Sequence, residues 1–342
     1  NLFMGLSVGT SVVVAQDYGA GNVSDLNASI HTSMAISIIS GLMVMVAGLV
    51  FCKPLLILTG TPEDILGLSL LYMRIYFLGV PATMIYNFGA AILRAIGDSK
   101  RPMYYLIISG LANVICNLFF VIVLHMSVDG VAWATVISQY LSMALIVICL
   151  SRSDIMGIRF IPRQMRINKD KLKKIVKIGL SAGLQNALFS ISNVMIQSAV
   201  NSFGSVMVAA NSAASNIEGF AGTIMNAYYN AAISFTGQNM GAKKYDRIDK
   251  IAKVYTVLIF ASWIIISSTI LFFGKSLLAL YRPDPEVIEL GMLRLKVLLA
   301  AYFACGVMNV FPGLTRAMGY SLSPMICTLI GACLMRIVWL KT

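Results

Sequence analysis

Of the fourteen acidic residues in this chain, a single one, Glu218, falls well inside a long apolar run. Asp17, Asp25, Asp98, Asp154, Asp170, Asp246 and Asp249 lie in basic loops or at helix ends beside them. Glu63, Asp64, Asp129, Asp284, Glu286 and Glu289 lie in the opposite set of connections. Glu218 precedes Gln238, where its segment closes, by 20 residues, about 30 Å of helix at 1.5 Å per residue. A carboxyl at that depth is costly unless it is neutral, paired or facing a cavity, and such groups are mostly functional. Desolvation would raise its pKa and suit it to carrying a proton. Equally open is a structural ion pair with Arg336, the only base clearly within an apolar run. In that case the carboxylate would hold two helices together.

The argument about Glu218 depends on the apolar runs being membrane spans. Charged residues make up 12% of the chain, against roughly 25% in soluble domains, and hydrophobic residues 58%. Mean hydropathy is +0.82. About ten helical spans are expected: 1–15, 30–52, 65–93, 103–125, 130–151, 175–203, 205–236, 251–273, 287–314 and 322–340. The short alternating segments of a membrane barrel do not occur. Pro81 and Pro312 fall inside spans, where each could bend a helix.

The chain repeats itself at an offset of 222 residues. RAIGDSKRPM, from Arg94 to Met103, returns as RAMGYSLSPM, from Arg316 to Met325, with six of ten positions identical. The same offset carries Gln16, Gly19 and Ala20 onto Gln238, Gly241 and Ala242, Lys53 onto Lys275, and Asn87 onto Asn309. Matched polar residues are informative in so apolar a chain, and they indicate two copies of one helical unit. Projected outward, the repeat implies about one and a half helices before residue 1 and a further one beyond Thr342. The fold expected is therefore all-α, with two parallel-repeat six-helix bundles cut short at both ends. The lobes are 1–151 and 171–342, joined by a basic linker at 152–170.

Basic residues orient the chain. Eighteen Lys and Arg fall at 94–101, 152–177, 241–253 and Arg316, against six in the opposite loops and flanks. The richer side is cytoplasmic by the positive-inside rule. The 152–170 stretch is better read as topology and anionic-lipid contact than as nucleic-acid binding.

Three motifs carry a resemblance. Gln-x-x-Gly-Ala closes two helices, at Gln16 and Gln238. Arg94-Ala-x-Gly97-Asp98-Ser99-Lys100-x-Pro102 forms a turn, and Asp129-Gly130-Val131-x-x-Ala134-Thr135 opens a helix. In order and spacing, and with the repeat, they make the chain resemble the multidrug and toxic compound extrusion (MATE) family, bacterial branch, over about helices two to eleven. The resemblance implies two bundles around a central cavity and export of organic, often cationic, compounds in exchange for H⁺ or Na⁺. It also implies alternating access, a multi-pass place in the cytoplasmic membrane, no cofactor beyond the coupling ion, and a monomer in contact with lipid.

The resemblance further implies a cation or proton site made by a first-helix Asp with a fifth-helix Asn and Asp that lie one turn apart. Asn113 and Asn117 hold those positions here, so the acid is replaced, and Thr135 matches a nearby threonine. All three could instead serve only to bond helices together. The acid that some members carry on the seventh helix is also absent, which weakens the case for a sodium site of that kind. Gln185, Asn186, Asn193 and Gln197 could still line the C-terminal cavity, the last three as a stripe at i, i+7 and i+11. Asn226, Tyr228, Tyr229, Asn230 and Arg336 are further candidates for the cavity wall.

Other chemistry finds little support. Gly274-Lys275-Ser276 lacks the first glycine of a phosphate-binding loop. Six cysteines lack metal-ligand spacing, His31 and His125 are far apart, and no nucleophile–base set appears, so an enzyme is not expected. A flippase for lipid-linked sugars or cell-wall precursors is the nearest rival. It would require several cavity cations, of which Arg336 is the one visible. A non-transporting receptor or scaffold is the rival from another class.

Overall fold

The computed structural model describes residues 2–153 and 160–335. Among them the chain forms ten α-helices and no strand: α1 (Leu2–Gly19), α2 (Val23–Leu58), α3 (Glu63–Ala95), α4 (Lys100–Leu118), α5 (Val128–Arg152), α6 (Lys169–Asn201), α7 (Ser205–Gly241), α8 (Asp246–Tyr281), α9 (Pro285–Ala317) and α10 (Leu322–Thr328). α4 and α10 each run on into a π-helical turn, at Phe119–Val123 and Leu329–Leu334.

The 222-residue offset holds in the backbone. α3 and α9 begin and end at matched residues, and α1 and α7 end at Gly19 and Gly241. Ala20 N–H donates to the Gln16 carbonyl, and Ala242 N–H to the Gln238 carbonyl, both at 2.9 Å. Asn87 and Asn309 each donate to the carbonyl four residues earlier, at 2.9 and 2.7 Å. The turn after α3 has Gly97 at φ +98°, and the turn after α9 has Gly319 at φ +100°, a conformation that an L side chain strains to adopt. At the matched end of α7 the left-handed position is kept although the residue is not: Gly21 has φ +68° and Lys243 φ +56°.

Five helices are long and apolar enough to cross a membrane by length and composition: α2, α3, α4 with its π turn, α5 and α8. α9 makes a sixth when its two arms are counted as one span. The sequence suggested about ten. The helices that fall short are short ones, α1 and α10, or polar ones. α6 carries Gln185, Asn186, Asn193 and Gln197, and α7 carries Asn211, Asn216, Glu218, Asn226 and Asn230. Helices that line a water-accessible path need such residues and lose mean apolarity in consequence.

Contacts divide the chain into two units, residues 6–179 and residues 1–5 with 180–342. In the first, α1, α2, α3 and α5 meet in a core that includes Val14, Leu26, Ile30, Tyr86, Ile92 and Leu150. α4 turns Leu111, Ile115, Leu118 and Ile122 outward, a stripe at i, i+4, i+7 and i+11 that suits lipid. The first turns of α6 belong to this unit. Ion pairs join Lys171 to Asp17 at 2.8 Å and to Asp25 at 3.5 Å, and the Asn168 amide donates to Thr32 Oγ1. Gly9 permits the approach, since a Cβ there would collide with the Ile175 carbonyl. Asp17 is thus no free helix-end charge; it partners a lysine that is 4% exposed.

In the second unit α7, α8 and α9 pack through Ala213, Ala214, Ile217, Ile270, Leu278 and Leu295, and again through Met225, Ile259 and Val310. α9 bends by 61° between Leu299 and Ala301, not at Pro312. Trp263 Nε1–H donates to the Leu299 carbonyl at 2.8 Å, so an indole from α8 hydrogen-bonds α9 at its bend.

Candidate functional site

The strongest polar constellation lies in the unit of residues 180–342 and is centred on Glu218. Glu218 sits thirteen residues into α7 and Arg294 nine residues into α9, about 20 and 14 Å from their first residues. Arg294 Nη2 donates to Glu218 Oε2 at 3.0 Å. Arg294 Nη1 donates to the Asn211 carbonyl at 2.5 Å, to Asn211 Oδ1 at 2.6 Å and to Ser215 Oγ at 2.8 Å. Asn211, Ser215 and Glu218 are spaced by four and three residues, so one face of α7 presents all three to the guanidinium. The side chains of Arg294 and Glu218 are 30% and 25% exposed.

The network continues. Asn211 Nδ2 donates to Gln197 Oε1 at 3.1 Å, and Gln197 Nε2 to Asn201 Oδ1 at 2.9 Å. Asn201 also lines a cavity of about 700 Å³ with Ser205, Ser212, Asn216 and Arg282. Hydrogen-bonded side chains therefore lead from Glu218 to a cavity wall at the start of α7, the external end by the charge count. Glu218 Oε1 is buried without a hydrogen-bond partner, a free acceptor on a group already half engaged. A guanidinium does not deprotonate in proteins. Protonation of Glu218 would therefore turn a neutral pair into a lone cation, which is how a carboxyl here could register an ion.

A second cluster lies at the other end of the same unit. Arg316, in the last turn of α9, is 3% exposed. Its Nη1 donates to the Tyr229 hydroxyl at 2.6 Å and its Nη2 to Gln185 Oε1, and the guanidinium lies 5.9 Å from the Tyr229 ring centre. Gln185 Nε2 donates to Thr328 Oγ1 at 2.9 Å. Gly313 leaves room for the Tyr229 ring, which a Cβ there would touch at 3.0 Å.

In the unit of residues 6–179, Asn117 Nδ2 donates to Asn113 Oδ1 at 3.1 Å, one turn apart on α4 and roughly opposite its lipid-facing stripe. Asn117 Oδ1 is buried and has no hydrogen-bond partner. Thr135 Oγ1 donates to the Val131 carbonyl at 3.0 Å, which leaves only its lone pairs for a ligand.

The candidates thus separate. Glu218 and Gln197 fall into one network, Gln185 and Tyr229 into another, and Asn113 and Asn117 into a third. Asn186 and Asn193 are exposed on α6, and Asn226 accepts from Asn230 at 3.0 Å along one face of α7. Arg336 lies outside the described residues. The expectation that Arg336 is the only base clearly within the spans is corrected, because Arg294 pairs with Glu218 and Arg316 is buried. By place along the chain, Arg316 belongs with the basic turns and Arg294 with the six charges of the opposite loops and flanks. One signal could have found Arg294: at the 222-residue offset its counterpart is Tyr72, so the charge belongs to one half alone.

The family model described as MatE matches residues 2–119 and 182–340. A relative from Bacillus subtilis, named as the probable multidrug resistance protein YoeA, is 27% identical over 95% of this chain and 72% of its own length. A Shewanella oneidensis protein named as an FAD transporter is 24% identical over 96% of this chain and 74% of its own. Among solved structures, the Vibrio cholerae MATE transporter VcmN aligns with a TM-score of 0.90 at 21% identity, over 99% of this chain and 77% of that one.

Proposed function

The chain belongs to the MatE family of multi-pass membrane transporters, and from that premise we propose that it is a secondary antiporter. It exports organic small molecules across a bacterial cytoplasmic membrane in exchange for H⁺ or Na⁺. It works as a monomer in contact with lipid, with lobes at 1–151 and 171–342 joined by the basic 152–170 stretch. The observation that carries the reading is the Glu218–Arg294 pair. Both charges lie deep in their helices, they bridge α7 to α9 at 3.0 Å, and a hydrogen-bonded row leads from them to a cavity wall.

Coupling follows from the chemistry of the pair. Ionised Glu218 is one of four acceptors that Arg294 uses on α7, and the only charged one. A proton on Glu218 removes the charged member and leaves three neutral bonds. A proton or sodium ion at this carboxylate therefore weakens the grip between α7 and α9, and its departure restores it. Such a change biases a two-state element as far as the ion's affinity differs between the states. Asn113, Asn117 and Thr135 provide a second polar locus in the other unit, and Gln185, Asn186, Asn193, Asn226 and Tyr229 provide polar wall for cargo.

Everted vesicles test the class of activity. A fluorescent organic compound should accumulate in vesicles bearing the protein when a pH or sodium gradient is imposed, and release when the gradient is collapsed. Lipid scrambling without solute movement would favour the flippase, and neither activity would favour a scaffold.

A further inference from the structure

Arg316 is a permanent charge held away from water. It is 3% exposed, and burial of this kind is ordinarily made tolerable by a carboxylate. The groups that hydrogen-bond Arg316 among the described residues are the Tyr229 hydroxyl and the Gln185 amide oxygen, both neutral, and its Nε has no partner. The carbonyl end of α9 offsets the charge only in part.

Beside this cluster runs a groove of about 310 Å³ between α9 and α10, walled by Phe311, Pro312, Pro324 and Cys327 with Thr315 and Thr328. The apolar side chains suit an aromatic or alkyl body. Thr328 lines the groove, and its hydroxyl accepts from the Gln185 amide, whose oxygen in turn accepts from Arg316. A single glutamine therefore separates an apolar groove from a guanidinium that pairs with no carboxylate among the described residues. A carboxylate or phosphate is a stronger acceptor for that guanidinium than an amide oxygen is.

We propose that the α9–α10 groove and Arg316 form a binding subsite for an amphipathic organic anion, its apolar body in the groove and its acidic group balancing Arg316. The proposal rests on the reading of the chain as a carrier of organic compounds and specifies the charge of a cargo it accepts. The acidic group takes the place of the Gln185 oxygen at Nη2, and the freed amide can still donate to it. A soluble organic acid and the headgroup of an anionic lipid share this chemistry.

Cys327 is exposed and lines the groove, so it can report occupancy without any transport. A variant keeping Cys327 as its sole cysteine is placed in phosphatidylcholine liposomes and alkylated with an uncharged maleimide. 1-Naphthoate and 1-naphthyl phosphate should slow labelling about tenfold at ten times their dissociation constants. 1-Naphthylmethylammonium, of similar shape and opposite charge, should not. Arg316→Gln should abolish the protection, Arg316→Lys should retain part of it, and Arg94→Gln, at the matched position of the other half, should leave it unchanged. Equal protection by the cation, protection by neither anion, or protection that survives Arg316→Gln would overturn the proposal.

The contrast between anion and cation needs no variant, so it decides the matter even if Arg316→Gln fails to fold. Adding phosphatidylglycerol identifies the source: a lipid ligand protects Cys327 by itself, whereas a soluble cargo site is indifferent to it. Labelling needs no ion gradient. Loss of this site and loss of gradient-driven export are therefore separate outcomes.

Discussion

Glu218→Gln removes one negative charge and keeps the shape and an acceptor. At the 3.0 Å separation, two unit charges attract by about 5.5 kcal/mol at an effective dielectric of about 20. Desolvation consumes most of that. Breaking a fully buried pair by removing one partner costs about 3–5 kcal/mol, and an exposed pair is worth less than about 1 kcal/mol. Side chains 25% and 30% exposed fall between, so about 2 kcal/mol is expected from the single substitution. Arg294→Gln should cost as much or more, since it abandons four hydrogen bonds, and it leaves Glu218 without a counter-charge. The double variant leaves no unpaired charge and should recover at least about 1 kcal/mol relative to the sum of the singles. The assay is thermal unfolding of the four purified proteins in one detergent, followed by tryptophan fluorescence, with each shift converted through the wild-type enthalpy. Additivity within about 0.5 kcal/mol would refute the claim that the pair is energetically coupled.

Other consequences are simpler to state. Lys171→Met should leave the half-buried Asp17 carboxylate without its closest counter-charge and lower folded, monodisperse protein by size-exclusion chromatography, and exchanging the two residues (Asp17→Lys with Lys171→Asp) should restore part of it. The cost expected for the single change is about 3–5 kcal/mol, because Lys171 is 4% exposed and holds both Asp17 oxygens at 2.8 Å. Lys243→Gly should stabilise by about 1 kcal/mol, since Lys243 occupies φ +56° where its repeat partner is Gly21; an unchanged melting temperature would contradict this. Asn117→Leu should reduce gradient-driven transport severalfold at equal membrane level, whereas an Asn pair that only bonds α4 to itself would cost about 0.5–1 kcal/mol of stability and leave transport intact.

The sequence made the architecture legible to an unusual depth because the duplication preserved polar and turn residues. Asn87 and Asn309, and Gly97 and Gly319, perform the same local task in the two halves. Lys243 shows the limit of such matching, for the backbone conformation outlived the residue suited to it. Elimination reaches Glu218 because acids are scarce in this chain. It does not reach Arg294, because the positive-inside rule counts a basic residue by its place along the chain. Arg294, nine residues into a helix, can mark either a flank or an interior. Arg316 was counted with the cytoplasmic turn for the same reason, and only packing against Tyr229 and Gln185 reveals it as buried. Asp17 and Lys171 are 154 residues apart, and nothing in the pattern of either neighbourhood announces the other. The helices richest in cavity candidates, α6 and α7, are the long ones that fall outside the apolar spans, since the polarity that equips a helix for a wet path dilutes its membrane signal.

The central claim is that transport is driven by an ion gradient acting through Glu218. In proteoliposomes holding equal amounts of protein, wild type should accumulate a labelled organic solute when a pH or sodium gradient is imposed and should equilibrate it without one. Glu218→Gln should retain the downhill equilibration and lose the gradient-driven accumulation. Gradient-driven accumulation by Glu218→Gln equal to that of wild type would contradict the account.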